Sequence, residues 1–197
     1  MDDKLNLLFA RIKQLEQELL AEIREKEQQF GYEIRAGKVR FTESVLARHR
    51  QLAKSWSRYL REARIFSIIT APVIWFCVLP VLLLHLVAEV YQFICFPVYG
   101  IPKVRRQDYL VMDRRRLRYL NPMERFNCGY CEYVNGLLAY VQEIAGRTEQ
   151  FWCPIKHALN LKTRHNRYQH FLDYGDAEQY RQRIEQVRRD FEDLRKG

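Results

Sequence analysis

Residues 65–88, IFSIITAPVIWFCVLPVLLLHLVA, run for 24 positions without a formal charge, and nothing else in the chain constrains its fold as strongly. After Glu89 the uncharged stretch resumes as VYQFICFPVYGIP and ends at Pro102. The core helix of a small domain rarely shows so long an apolar run on all its faces, whereas a bilayer requires one. The block starts 64 residues into the chain, behind a polar segment, so it does not read as a signal peptide.

Twenty-four helical residues rise about 36 Å, enough for a hydrocarbon layer of about 30 Å. The full stretch 65–102 would rise about 57 Å as one straight helix, too long for a single crossing. Pro72, Pro80 and Pro97 are the expected bend points, since each lacks an N–H and clashes with the preceding turn. Six basic residues precede the block (Arg48, Arg50, Lys54, Arg58, Arg61, Arg64) and seven follow it (Lys103, Arg105, Arg106, Arg114, Arg115, Arg116, Arg118). So even a balance favours keeping both flanks in the cytoplasm. A helical hairpin bent within residues 80–84 satisfies that; a single span is the alternative. His85 and Glu89 share a helix face inside the block. Two readings stand for this intramembrane polar pair: a proton relay or metal-ligand pair, or a level at which the helix meets headgroups.

The flanking segments are amphipathic. Leu5, Leu8, Ile12, Leu15 and Leu19 form a stripe along residues 1–29, which predicts a helix that packs on a partner in this chain or in another copy. Two and a half heptads suggest coiled-coil-like pairing but do not specify a free-standing coiled coil. Phe30, Tyr32 and Ile34 then alternate with polar residues, and Val39 and Phe41 resume after Ala36–Gly37, predicting a small β-hairpin over 30–41. Helical spacing returns over 42–64. Residues 103–126 carry eight Lys or Arg against three acids, interleaved with Tyr109, Leu110, Leu117 and Tyr119. Beside an apolar block this reads as an interfacial segment on anionic headgroups, with Lys103, Arg105, Arg106, Arg114, Arg115 and Arg116 as the contacts. It is a weaker match to nucleic acid, since no recognised nucleic-acid motif accompanies it. Tyr180, Ile184, Val187, Phe191 and Leu194 predict a helix over 176–196 that pairs antiparallel with the N-terminal one.

Chemistry concentrates in one pattern. Five cysteines are too few for a disulfide scaffold. Cys77 and Cys95 lie in the apolar block, while Cys128, Cys131, Cys153 and His157 form C-x2-C followed by C-x3-H. A tight turn at Gly129, a helix over 132–146, and Cys153 capping a helix that starts at Pro154 would bring three thiolates and one imidazole together. That donor set describes a structural zinc site. Three reduced thiols in a small core account for the same residues without a metal. Cys128-Gly129-Tyr130-Cys131 resembles the C-G-x-C redox dithiol of the thioredoxin superfamily, which implies thiol–disulfide exchange. The C-x3-H step resembles that of the CDGSH iron–sulfur proteins, which implies a [2Fe–2S] cluster on Cys128, Cys131, Cys153 and His157. His165 and His170 sit in a basic run and read as solvated. No phosphate-cradling loop, nucleophile elbow or H-E-x-x-H is present in the sequence.

The expected organisation is therefore mainly α. A helical region with its hairpin (1–64) leads into a membrane segment (65–102) and a basic interfacial segment (103–126). A Cys3His region (127–172) and an amphipathic C-terminal helix (173–197) follow. The expected function is a membrane-anchored, cytoplasm-facing interaction or scaffold protein with a structural zinc, its end helices available for self-association or a protein partner. The alternative is redox or electron transfer at the membrane surface.

Overall fold

A computed structural model describes residues 2–35, 38–62 and 64–195. The chain is mainly helical, with one two-stranded antiparallel sheet. It divides into two compact units, residues 1–62 with 113–126 and residues 63–112 with 127–197.

In the first unit, helix α1 (Asp2–Phe30) ends at Gly31, whose positive φ of 60° turns the chain into the hairpin. A Cβ at Gly31 would lie 2.6 Å from Val45 Cγ2, so the turn is also sterically tight. Strands β1 (Tyr32–Arg35) and β2 (Lys38–Phe41) pair with Tyr32 opposite Phe41 and Ile34 opposite Val39, as the alternation predicts. The expected turn at Ala36–Gly37 lies outside the described residues. The helix expected over 42–64 is interrupted. Helix α2 (Glu43–Leu52) stops where Ala53 turns extended, and α3 (Trp56–Glu62) follows. The Lys54–Glu62 contact of 2.6 Å spans the second piece. His49 is edge-on to Phe41 (5.1 Å) and to Tyr119 (5.0 Å), tying α2 to the hairpin and to the returning segment 113–126.

The second unit is built around the apolar block. Helices α4 (Ile65–Phe76) and α5 (Val78–Tyr99) meet at Cys77, which keeps a right-handed helical conformation. Together they make one apolar helix of 35 residues, long and apolar enough to cross a membrane. The hairpin expected at residues 80–84 is not formed, because those residues lie inside α5. Pro80 does interrupt the ladder, but one turn upstream. Its ring excludes the carbonyl four residues back, and the Cys77 N–H closes a tighter turn onto Ile74 O at 3.2 Å. Pro72 and Pro97 are accommodated within their helices. Thr70 satisfies its hydroxyl within α4 by donating to Phe66 O at 2.9 Å. Gly100, at φ 68°, caps α5.

Helix α6 (Pro122–Trp152) lies alongside this apolar helix. The order of contacts gives its direction. Trp75 Nε1 donates to Asn127 Oδ1 (3.3 Å), His85 pairs with Tyr133 (2.9 Å), Tyr91 with Thr148 (3.1 Å), and the Tyr99 ring stacks on Phe151 (5.0 Å). Both numbers rise together, so the helices run parallel, and within this unit residues 100–112, the crossover, return beside α6, Pro102 and Lys103 at Arg147 and Tyr109 at Gly136. Ala88, Phe96, Ile101, Val104, Leu137, Tyr140, Ile144 and Phe191 form the buried cluster between them. The final expected helix is also split. Asp176 caps α7 (Ala177–Val187) by accepting from Gln179 N at 2.9 Å, and α8 (Glu192–Arg195) follows a break at 188–191. Ile184, Val187 and Phe191 are buried as the stripe predicts, but the element they meet is α6, whose Gln150 Nε2 donates to Val187 O (3.0 Å) and Asp190 O (2.7 Å).

Candidate functional site

The start of α6 decides the fate of the cysteine motif. Asn121 Oδ1 accepts from Met123 N (3.0 Å) and Glu124 N (2.9 Å), and Glu124 Oε2 accepts from Asn121 N (2.9 Å). This reciprocal capping box, with Pro122 in the first helical position, starts the helix six residues before Cys128. The C-x2-C pair therefore lies on a continuous helix rather than in a turn. From Cys131 to Cys153 the rise is about 33 Å at 1.5 Å per residue. The four expected ligands are not brought together, and among the described residues no group of three or more His, Cys, Asp or Glu side chains is placed to hold a metal ion. Cys131 and Cys153 are exposed and Cys128 is half-buried. The His157 ring stacks on Tyr168, centroids 6.4 Å apart and nearly parallel, and the His157 backbone N–H donates to the Tyr168 hydroxyl. Pro154 does not open a helix. It ends α6, and its carbonyl accepts from Leu172 N at 2.8 Å.

The same geometry bears on the dithiol. Helical neighbours three apart hold their Cβ atoms about 5–6 Å apart, against about 3.5–4.5 Å in a disulfide. Joining Cys128 to Cys131 therefore requires α6 to distort. Among the described residues the only sheet is the β1–β2 hairpin, so the multi-stranded sheet that the thioredoxin likeness implies is not present.

The structure does bring together the polar pair His85 and Glu89. Val81, His85, Ala88, Gln92, Phe96 and Tyr99 recur at 4-3-4-4-3 spacing, one stripe of α5 facing α6. His85 Nδ1 lies 2.9 Å from the Tyr133 hydroxyl, and His85 Nε2 lies 3.4 Å from Glu89 Oε1. Tyr140 donates to Glu89 Oε1 at 3.2 Å and accepts from Gln92 Nε2 at 2.8 Å. Gln92 Oε1 in turn accepts the Val104 N–H at 2.5 Å. Burial raises the Tyr140 hydroxyl above its ordinary value, and the Glu89 carboxylate adds to that; burial likewise raises Tyr133. Tyr140 therefore stays protonated and supplies the one proton that its bond to Glu89 needs.

Two further contacts extend the seam into the crossover. Arg147, nearly buried, pairs with Glu143 at 2.8 Å and donates through Nη1 to Pro102 O (2.8 Å) and Lys103 O (3.2 Å). Gly136 lies under the crossover backbone, where a Cβ would stand 2.7 Å from Tyr109 O. Gln92, Tyr140 and Arg147 were not singled out from the sequence. The signal for Gln92 was present, since it continues the His85–Glu89 face by one turn. Tyr140 and Arg147 are ordinary helix positions until their partner is known.

The opposite face of α5 has no partner among the described residues. Leu79, Leu83, Leu86, Val90, Phe93, Ile94 and Val98 are exposed, Phe93 by 71% and Val98 by 74%. Lys103 Nζ lies 4.7 Å above the Phe93 ring, at the border between the two faces. Lys103, Arg105, Arg106, Arg114, Arg115 and Arg116 are all exposed, Arg105 pairing locally with Asp108 at 3.0 Å. No protein-family model, curated protein or solved structure matches the chain.

Proposed function

We propose that this chain is a non-enzymatic, membrane-anchored interaction protein whose apolar helix lies in the plane of one leaflet. The observation that carries this reading is the pairing of α5 with α6 along a shared direction, with the crossover returning beside them. If α5 stood across the bilayer, α6 and the crossover would stand at the same depth. Irregular backbone is tolerated at hydrocarbon depth only when it is enclosed by protein or water, and Lys103, Arg105 and Arg106 are exposed. Laid flat, the helix turns Leu83, Val90 and Ile94 into the acyl layer and His85, Glu89 and Gln92 towards α6. Lys103 then sits at headgroup level, with its stem on Phe93. Lys103, Arg105 and Arg106 of the crossover face anionic lipid, and they favour the cytoplasmic leaflet. In-plane insertion also keeps both basic flanks on one side, the constraint that pointed to a hairpin in the sequence.

The polar seam then acts as a lock. It uses His85, Glu89 and Gln92 of an otherwise apolar stretch to hold a water-facing platform on the anchor. Leu15, Leu19 and Ile23 of α1 are exposed apolar residues and the surface offered to a protein partner or a second copy. The test is side-specific labelling of single cysteines placed at Arg64 and at Lys103 in sealed vesicles of known orientation. Reaction of both from the same side is expected; reaction from opposite sides overturns the in-plane reading.

A further inference from the structure

Residues 150–172 hold four Lys or Arg, three His and no carboxylate. The structure folds this stretch into a closed loop. Ile155 and Leu172 form a parallel bridge, with Lys156 N donating to Leu172 O and Leu172 N to Pro154 O, both at 2.8 Å. Arg167, only 2% exposed, pins the loop from inside. Its Nε donates to Gln150 Oε1 at 2.6 Å, its Nη1 to Asp193 Oδ2 at 2.5 Å and its Nη2 to Asp190 O at 3.0 Å. His165 fixes the other side by pairing with Glu149 at 2.9 Å and packing on Gly146. The loop is therefore a built wall of the unit.

On its outer surface lies a cleft of about 660 Å³. Lys156, His157, Arg164, His165, Asn166 and Gln169 line it around the Tyr168 ring, and no carboxylate does. Tyr168 orients two of the nitrogen-bearing groups: Arg164 lies 5.4 Å above its ring, and His157 stacks on it. Arg164 donates to Asn160 Oδ1 at 3.0 Å but has no carboxylate partner among the described residues. Lys156 is matched only by Asp173, whose side chain is 75% exposed, so its ammonium is available to a better acceptor.

We propose that this cleft binds a phosphomonoester group. A guanidinium fork, an ammonium and imidazole and amide donors line one concave surface, a donor set that suits a tetrahedral dianion better than a two-oxygen carboxylate. The volume, within the range of small-molecule sites, leaves room for the body that carries the phosphate. That body belongs either to a soluble phosphomonoester or to a phosphatidate-type headgroup. The site is separate from the crossover contacts and stands without the in-plane reading.

The test uses the full chain. Inorganic phosphate is titrated calorimetrically in neutral detergent, and capture on phosphatidylcholine nanodiscs is measured with and without phosphatidate. One saturable phosphate site is expected, weakened about tenfold or more by Arg164→Gln, as loss of a charge-assisted hydrogen bond implies. Lys156→Gln should weaken it independently, while replacing Arg114, Arg115 and Arg116 together by Gln should leave it intact. Phosphatidate capture that depends on Arg164 without a phosphate heat assigns the site to the headgroup. Binding of either kind that is indifferent to Arg164 and Lys156 overturns the proposal, as does no binding in both arms. Unchanged near-ultraviolet circular dichroism shows that the variants remain folded.

Discussion

Replacing Gly136 by Ala sets two effects of opposite sign against each other. Gly136 lies in the interior of α6, where Ala is favoured by about 1 kcal/mol over Gly on helix propensity alone. An isolated helix would therefore gain. Here the added Cβ would stand 2.7 Å from Tyr109 O and 3.2 Å from Leu110 Cα, and both are backbone atoms. Relief by rotation of a side chain is not available. The crossover is held there by a turn in which Tyr109 N and Leu110 N both donate to Arg106 O, and by Arg147 gripping Pro102 O and Lys103 O. Forcing such a contact apart costs about 1–3 kcal/mol. The net of the two terms is a destabilisation of about 0–2 kcal/mol, more if the Arg147 contacts are lost as well. Urea titration of the full chain in neutral detergent, followed by near-ultraviolet circular dichroism, reads the change. A midpoint raised by about the 1 kcal/mol that an isolated helix would gain would refute the claim that the crossover backbone lies on α6, and with it the main objection to a transmembrane orientation.

Three further outcomes follow from individual contacts. Tyr140→Phe keeps the ring but leaves the buried Gln92 amide and Glu89 without their shared hydroxyl, so a loss of about 1–3 kcal/mol is expected in the same titration; no loss would mean that the seam does not hold the two helices. Burial pushes Asp193 upward, but the hydrogen bond and charge of Arg167, with His170 nearby, outweigh it and hold the folded carboxyl below its ordinary value of 3.8. Its contribution is therefore present above that value and lost as pH falls through the lower folded one, so an acid titration of stability should show a step below about pH 4 that Arg167→Met removes. A step that survives in the variant would assign the acid sensitivity elsewhere. Cys131→Ser and Cys153→Ser, at exposed positions far apart, should each change stability by less than about 0.5 kcal/mol; loss of several kcal/mol together with stoichiometric zinc would restore the Cys3His centre.

The parts of the fold legible in the sequence are those set by local periodicity. The apolar block, the 30–41 hairpin, the N-terminal helix and the Ile184–Val187–Phe191 stripe each announce themselves through spacing and form as spaced. What periodicity does not carry is the identity of the partner. The C-terminal stripe meets α6, where Gln150 and Arg167 tether it. The breaks at residues 53–55 and 188–191 contain neither Gly nor Pro, so no local signal marks them. The cysteine motif misleads for a different reason. Its spacing fits a metal turn, but Asn121-Pro122-Met123-Glu124 starts a helix upstream, and a helix running through both thiols carries them away from Cys153. That capping box was readable in the sequence. His85 and Glu89 were legible as a pair on one helix face, yet their role required Tyr133 and Tyr140, 48 and 51 positions further on.

The orientation of the apolar helix is measured most directly by the immersion depth of spin labels placed singly at Ile69, Phe76, Leu83 and Val90, exposed positions near one line of the helix. Comparing relaxation by oxygen with relaxation by a polar nickel complex gives the depth of each in reconstituted vesicles. In-plane insertion predicts four nearly equal depths, about 5–10 Å below the headgroups. A profile that is shallow at Ile69 and Val90 and deepest between them would show the helix crossing the bilayer and would contradict the account.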